Sequence, residues 1–381
     1  MTGIALLGST GSIGRQTLEV VAMHRERFEI RGLAAGHAST QLDAQLAAWP
    51  EARAWTPGGR PSTLTAGRWA EGGLVELATS PGVELVVVAT TGMSALGAVL
   101  AALRSGRRVA LANKETLVTG GHLVAACLAE RGGDPLDGLR PIDSEHSALW
   151  QCLAGEAIGD VARLVLTASG GPFRGRPAGD LATVTPDEAL AHPTWRMGPK
   201  ITVDSATLVN KAFEAIEARW LYGVPYSKIA AVIHPQSVVH SLVEFVDGSF
   251  KAQLGLPDMR LPIQHALTYP DRLPSPARRA APDAWPELTF SPLVAGDYPA
   301  YDAVRRAAEL GGNRGAVLNA ADEVAVAAFL QGRLAFTEIA SLIGQAVGRW
   351  GDDADPSLEE VEALDAEVRA SLGRRLGLVP A

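Results

Sequence analysis

The sequence predicts an α/β chain in three parts: a parallel sheet covered by helices, a mixed segment that includes a hairpin, and a closing bundle of helices. Three observations carry this. Up to about Pro141, short apolar runs alternate with helical stretches, the pattern of a parallel sheet with helices on both faces. Asp247-Gly248 lies between two apolar runs and supplies the positive φ angles of a tight hairpin turn. Beyond Tyr298 only helical periodicity remains.

Taken in order, residues 4–7, 30–34, 85–89 and 109–112 read as strands, and 12–23, 40–48, 94–103 and 115–130 as helices. Residues 85–103 carry no charge and approach the length of a membrane span. Thr90, Thr91, Gly92, Met93 and Ser94 interrupt them, with a β-branched run before and an Ala/Leu-rich run after. A buried strand, a tight turn and a helix capped near Ser94 account for this better than a membrane segment. After Pro141 come loops rich in Ser, Gly, Pro and His, a strand at 164–167, and a long helix from about Ser205 to Leu221. The hairpin strands are 238–246 and 250–254, and the Pro- and Ala-rich residues 271–292 read as a linker. In the last part Gly311-Gly312 ends one helix, Thr337 caps another, and Ser357 with Glu360 forms a capping box. Leu358, Val361, Leu364, Val368 and Leu372 recur at helical spacing, a core face rather than a site.

Composition narrows the function. Acidic residues outnumber basic ones, 42 to 34, so no basic surplus exists to neutralise nucleic acid. With 47% hydrophobic and 20% charged residues, the 381-residue chain fills large cores in two or three domains. The two cysteines, Cys127 and Cys152, have no metal-like spacing, which fits a reducing compartment and excludes a disulfide scaffold. The first residues lead straight into an apolar strand, without a signal-peptide pattern, so a cytoplasmic enzyme is expected. Lysine and asparagine are scarce, with five lysines among 34 basic residues and four asparagines, yet Asn-Lys occurs twice, at 113–114 and 210–211. A lysine kept in an arginine-rich chain marks a place where a compact point charge is wanted.

The first strand runs into Gly8-Ser9-Thr10-Gly11-Ser12-Ile13-Gly14, which opens the first helix. Glycine lets backbone approach a pyrophosphate, and free N–H groups at a helix start bind its charge, so the loop reads as a dinucleotide site. After the second strand, Gly36-His37-Ala38-Ser39-Thr40 contains no acid for a ribose 2′-hydroxyl. His37, Ser39 and Thr40 suit a 2′-phosphate instead, which predicts NADP(H). Asp143-Ser144-Glu145-His146 has two readings: carboxylates converging on a hard cation, or a helix cap. On the following long helix Val209, Phe213, Ile216 and Trp220 form one arc and Asn210, Lys211 and Glu214 a second. That second arc is either a solvated face or, with Ser205, a phosphate grip. Ser169-Gly170-Gly171 is a strand-ending turn or a backbone-exposing ligand loop. In the loop from His192 to Gly198, Trp195 and Met197 form a lid or bury against the body. His234 and His240 read as structural histidines.

In order, the motifs are GSTGSIG at 8–14, LANKE at 111–115, DSEHSA at 143–148, SGGPF at 169–173, HPTWRMGPKITVDSATLVNKAFEAIEARWL at 192–221, IHPQSVVHS at 233–241 and PDMR at 257–260. They resemble the 1-deoxy-D-xylulose 5-phosphate reductoisomerase family of the non-mevalonate isoprenoid pathway, from Gly8 into the terminal bundle. The resemblance implies a Rossmann-like NADPH-binding domain at 1–142 and an α+β catalytic domain with a lid loop at 143–270. A linker at 271–298 and a C-terminal helical bundle at 299–381 follow. It implies that Thr10, Gly11, Ser12, Ile13, Gly36, Asn113, Glu115 and Gly198 hold the cofactor, to which the loop after the second strand adds His37. Asp143, Glu145 and Glu214 match ligands of a divalent metal, Mn²⁺ or Mg²⁺ with Co²⁺ as a further candidate. Lys114, Ser144, Glu145 and His192 match the reacting end of the substrate, with Lys114, Glu145 and His192 catalytic. Ser169, Ser205, Asn210 and Lys211 match the phosphate pocket, Trp195 and Met197 the lid. The sequence departs from some members at His37-Ala38, where they have Lys-Asn beside the ribose phosphate.

The implied reaction rearranges the skeleton of 1-deoxy-D-xylulose 5-phosphate and reduces the resulting aldehyde to 2-C-methyl-D-erythritol 4-phosphate. A chelated metal absorbs the enolate charge of a retro-aldol cleavage, Lys114 steadies oxyanion charge, and Glu145 or water at the metal shuttles the hydroxyl proton. A small phosphorylated sugar, a homodimer, and neither nucleic acid nor membrane are the expected partners. A dehydrogenase of the aspartate-semialdehyde type needs an activated cysteine, which neither apolar cysteine context offers. An NADP-sensing regulator leaves the carboxylates and the phosphate cluster without purpose.

Overall fold

Ile4, Ala5, Leu6 and Leu7 are all fully buried, so β1 (Thr2–Leu7) has no polar face and belongs inside a sheet covered on both sides. Five parallel neighbours join it: β2 (Phe28–Ala34), β3 (Arg53–Trp55), β4 (Leu85–Val88), β5 (Arg108–Leu111) and β6 (Leu139–Pro141). Their spatial order is β3-β2-β1-β4-β5-β6, the doubly wound order whose direction reverses between β1 and β4. The helices between and beyond them are α1 (Ser12–Met23), α2 (Thr40–Ala48), α3 (Gly73–Thr79), α4 (Leu96–Arg104), α5 (Glu115–Arg131), α6 (Pro135–Gly138) and α7 (Ser144–Leu153). The short β3 and α3 carry too little periodicity to be seen in the sequence. Ser94 does not cap α4: the helix starts at Leu96 without a side-chain cap, and the Ser94 hydroxyl turns back to the Thr91 carbonyl.

The computed structural model describes residues 1–61, 64–195 and 197–378, which fall into two units. The first comprises Met1–Thr116, Leu123–Ser147 and Asp258–Arg278; the second comprises Leu117–His122, Ala148–Pro257 and Arg279–Ala381, of which 379–381 lie outside the described residues.

The second unit holds a mixed sheet of β7 (Val161–Ala168), β8 (Ile229–Ile233), β9 (Val239–Phe245), β10 (Phe250–Leu254) and β11 (Ser291–Pro292), in the order β10-β9-β7-β8-β11. The β9–β10 hairpin turns at Asp247-Gly248, with Gly248 at φ +83°, where only glycine sits without strain. The expected helix from Ser205 to Leu221 is two helices. After α8 (Pro186–Leu190), α9 (Pro199–Thr207) ends at Leu208, whose φ of +56° breaks the ladder, and α10 (Val209–Tyr222) starts anew. Leu208 is buried against Ala168 and Ile233, and that apolar anchorage offsets the roughly 1–2 kcal/mol of a left-handed leucine.

With α11 (Arg260–Thr268) assigned to the first unit, the remaining helices are α12 (Pro299–Leu310), α13 (Arg314–Leu330), α14 (Glu338–Trp350) and α15 (Leu358–Leu376). They share one core with α9 and α10, built around Val203, Phe213, Ile216, Val317, Phe329 and Ile343. Ser357 and Glu360 form the expected capping box. Thr337 makes no capping bond; the Glu338 carboxylate instead accepts from the Ala335 N–H at 2.8 Å. No helix among the described residues is long and apolar enough to cross a membrane.

Candidate active site

In the first unit, Gly8 turns the chain at φ +95° and a side chain at Gly14 would strike the Gly8 carbonyl at 2.2 Å, so α1 must begin tight against the loop. Its N-cap, Gly11, has no side-chain cap, and no acid stands in its first turn. The start of α1 therefore keeps its positive end and free N–H groups for an anion, at the switch point of the sheet. Three side chains absent from the sequence reading hold the loop from behind. Gln45 donates to the Ser9 carbonyl at 2.9 Å, and Arg15 and Gln41 donate to the Thr10 carbonyl at 2.9 and 3.3 Å. Two glutamines four apart on α2, facing the glycine loop, were the available signal. Gly36 and His37 are exposed at the end of β2, and Ser39 caps α2 by accepting from the Leu42 N–H.

Asn113 is buried and ties two loops together. Its amide nitrogen donates to the Thr90 and Gly92 carbonyls and to Glu115, at 2.9, 2.7 and 3.0 Å, while its oxygen accepts from the Thr116 N–H and hydroxyl. Beside it Lys114 donates to Asp143 Oδ2 at 2.9 Å, both side chains buried. Burial alone would raise the Asp143 pKa, but the Lys114 ammonium and then His146, 3.5 Å away, outweigh it and hold the carboxyl well below its usual range. The cap reading of the DSEH motif holds, since Asp143 Oδ1 accepts from the Glu145 N–H at the start of α7, while its other oxygen faces the lysine. Ser144 donates to Glu145 at 2.5 Å.

In the second unit, His192 Nε2 lies 3.2 Å from Ser169 Oγ and 3.1 Å from Ser205 Oγ. Its Nδ1 accepts from the Thr194 and Trp195 N–H groups at 3.1 and 2.9 Å, which fixes the tautomer with hydrogen on Nε2. Burial lowers the His192 pKa, and an imidazolium would also aim an Nδ1 proton at two donors. Gly170 and Gly171 take φ of +87° and +67°, and a side chain at Gly171 would meet the Ser205 carbonyl at 2.6 Å, so the loop lies flush against α9. Ser205 is in the last turn of α9, not at the start of the helix carrying Lys211, because of the break at Leu208.

Across that break Lys211 donates to Glu214, and Asn210 donates to the same carboxylate at 2.6 Å. Lys211 and Glu214 are 3% and 1% exposed, so the solvated-face reading does not hold. Trp195 and Met197 are half-buried, Gly198 is an open N-cap to α9, and Arg196 between them lies outside the described residues. His234 is structural, accepting from the Val238 and Val239 N–H groups. Cys127 and Cys152 are buried, with burial pushing the Cys152 thiol up to about 11, which leaves no activated cysteine nucleophile.

Similarity to known proteins extends along nearly the whole chain. A model of the 1-deoxy-D-xylulose 5-phosphate reductoisomerase family matches residues 4–121, and two models of its C-terminal domain match 139–222 and 254–371. A 1-deoxy-D-xylulose 5-phosphate reductoisomerase from Pelotomaculum thermopropionicum is 47% identical over 379 residues, 97% of each chain. The chain belongs to this family. The Thermomicrobium roseum member is likewise 47% identical, over 98% of this chain and 97% of its own. A solved reductoisomerase in complex with NADPH, fosmidomycin and magnesium has a TM-score of 0.88 at 35% identity, covering 99% of each chain. The Zymomonas mobilis enzyme in complex with NADPH gives 0.88 at 37% identity, covering 98% of each. The family's sequence signature thus lies on a Rossmann-type sheet and a second, mixed sheet with helices.

Proposed function

We infer that the chain catalyses the NADPH- and metal-dependent conversion of 1-deoxy-D-xylulose 5-phosphate to 2-C-methyl-D-erythritol 4-phosphate. The observation that carries this is the full-length match to reductoisomerases, with the family's motifs present at the candidate positions other than His37. The uncapped start of α1 fits a dinucleotide pyrophosphate. Thr10, Gly11, Ser12 and Ile13 hold it, with Gly36, His37, Asn113, Glu115 and Gly198 completing the cofactor contacts. Asp143, Glu145 and Glu214 are the divalent-metal ligands. Their donor set is all carboxylate oxygen, and Asp143 is kept ionised beside Lys114, which suits Mg²⁺ or Mn²⁺.

When bound, the metal supplies Lewis-acid polarisation of the substrate carbonyl and NADPH supplies the hydride. Lys114 presents a buried ammonium to developing oxyanion charge, and Ser144 orients the Glu145 carboxylate that takes the hydroxyl proton. His192, neutral and with its hydrogen on Nε2, binds the substrate as a donor. Ser169, Ser205, Asn210 and Lys211 grip the phosphate, away from the reacting carbons, and that binding draws Trp195 and Met197 over the substrate to exclude water. The working enzyme is a cytoplasmic homodimer.

The test is NADPH oxidation with 1-deoxy-D-xylulose 5-phosphate before and after metal removal. We expect turnover that chelator abolishes and Mn²⁺ or Mg²⁺ restores. Turnover unaffected by exhaustive chelation removes the metal from the mechanism, and no turnover with any divalent ion removes the activity.

A further inference from the structure

Lys200, one of the five lysines, has no place in the roles above, yet it pairs with two carboxylates on two helices. Its Nζ lies 2.7 Å from Asp204 Oδ2 on α9 and 2.9 Å from Asp322 Oδ2 on α13. The same ammonium stands 5.1 Å from the centre of the Phe213 ring on α10. Asp204 and Asp322 are 1% and 0% exposed, so two deeply buried carboxylates share this charge.

Helix stability does not explain the arrangement. Lys200 is in the first turn of α9, the positive end, where a cation is disfavoured. A lysine four residues before its acid is also the weaker orientation for a helix pair. What the ammonium does is join three helices. Two of them, α9 and α10, meet at the left-handed Leu208 with no intervening loop. One side of that break carries Ser205, next to Asp204; the other carries Asn210 and Lys211, on the turn preceding Phe213. The third helix, α13, lies in the large core and is a rigid reference, with Val317, Leu318, Ala321 and Ala325 all fully buried.

We propose that Lys200 is a positioning residue for the phosphate pocket: by pairing with Asp204 and Asp322 and lying over Phe213, it fixes the angle between α9 and α10 and hence the spacing of Ser205 from Asn210 and Lys211. This rests on the reading of those three residues as the phosphate grip. Without the pin, the single left-handed joint is the hinge, and small rotations about it separate the two halves of the pocket. A displacement on the order of an ångström in a positioned site changes rates by up to about a hundredfold.

Three variants test it: Lys200→Met, which removes the charge and keeps an unbranched side chain; Asp322→Asn, which releases only the tie to α13; and Lys211→Ala as a reference. Each is assayed for KM and kcat with 1-deoxy-D-xylulose 5-phosphate, for Kd of a phosphonate substrate mimic, and for Kd of NADPH. The expected result for Lys200→Met is a KM and a phosphonate Kd raised about tenfold or more, with NADPH Kd within about twofold of wild type. Asp322→Asn shifts the same quantities in the same direction by less. Should Lys200→Met fail to fold, Asp322→Asn carries the same comparison. Unchanged phosphonate binding in the folded variants overturns the positioning role, as does an equal loss of NADPH binding, which would mark a general structural defect. If Lys211→Ala itself binds the phosphonate normally, the phosphate-pocket reading fails and the inference falls with it; if only Lys211→Ala is impaired, the pocket stands and the pin does not.

Discussion

Replacing Lys211 by alanine separates what the second Asn-Lys pair contributes to the fold from what it contributes to the substrate. Lys211 and Glu214 are almost wholly buried and paired, so removing the lysine strands a carboxylate in low dielectric. Breaking a buried pair from one side costs about 3–5 kcal/mol. For a unit of this size that is roughly 6–20 °C in melting temperature. A solvated lysine would have changed stability by no more than about 0.5 kcal/mol. Removing both charges, as in Lys211→Ala with Glu214→Gln, recovers most of the lost stability because no uncompensated charge remains. Activity must not recover with it. Loss of a charge-assisted contact to the phosphate lowers kcat/KM roughly ten- to a hundredfold, and the double variant also lacks a proposed metal ligand. The assay is thermal unfolding of metal-free protein beside steady-state kinetics and phosphonate binding, for wild type and both variants. A single variant that melts with wild type refutes the buried pair. Wild-type kcat/KM in that variant refutes the phosphate contact.

Two further outcomes follow from the site. The folded protein depresses the His192 pKa, so the neutral ring is favoured: its contribution is complete above the unfolded value near 6.5 and is lost as pH falls below it toward the folded value. Substrate binding should therefore hold level above about pH 6.5 and weaken at lower pH as a proton on Nδ1 expels the Thr194 and Trp195 N–H groups, and a His192 NMR titration midpoint above the ordinary value would contradict this. No acid follows β2, so NADPH should be preferred over NADH, and His37→Asp should shift the ratio of kcat/KM values toward NADH; equal efficiencies in the wild-type enzyme would refute the reading of that loop.

Much of the nucleotide unit was legible because local and tertiary preferences coincide there. The loop at 8–14 must turn, approach and open a helix within seven residues, and few sequences other than a glycine-rich one do so. The break at Leu208 was invisible for the opposite reason. Neither glycine nor proline marks it, and its cause is the pocket formed by Ala168 and Ile233, far away in sequence. Helical geometry grouped Asn210, Lys211 and Glu214 correctly, but a wheel assigns residues to arcs and does not say whether an arc meets water or protein. Thr337 looked like a cap by type, yet its backbone is already helical, at φ −69° and ψ −18°, and its side chain makes no cap bond. Gln41 and Gln45 escaped notice because amides that hold a loop from behind share no motif with the loop.

The network around Asn113 also bears on how long the enzyme lasts as an intact covalent molecule. Asparagine is among the thermolabile residues, because its amide can be attacked by the following backbone nitrogen and hydrolyse to an acid. That attack requires the side chain to swing toward its own main chain. At Asn113 every polar atom is engaged with a fixed partner, and Asn313 is held likewise, donating to the Trp350 carbonyl and accepting from the Asp352 N–H. Asn210 is tied to Glu214. A chain with only four asparagines thus keeps three of them immobilised by their own bonds. At Asn113 hydrolysis would place a second negative charge beside Glu115 and against two carbonyls, so the contacts that hold the loop at Thr90 and Gly92 also protect the residue that makes them.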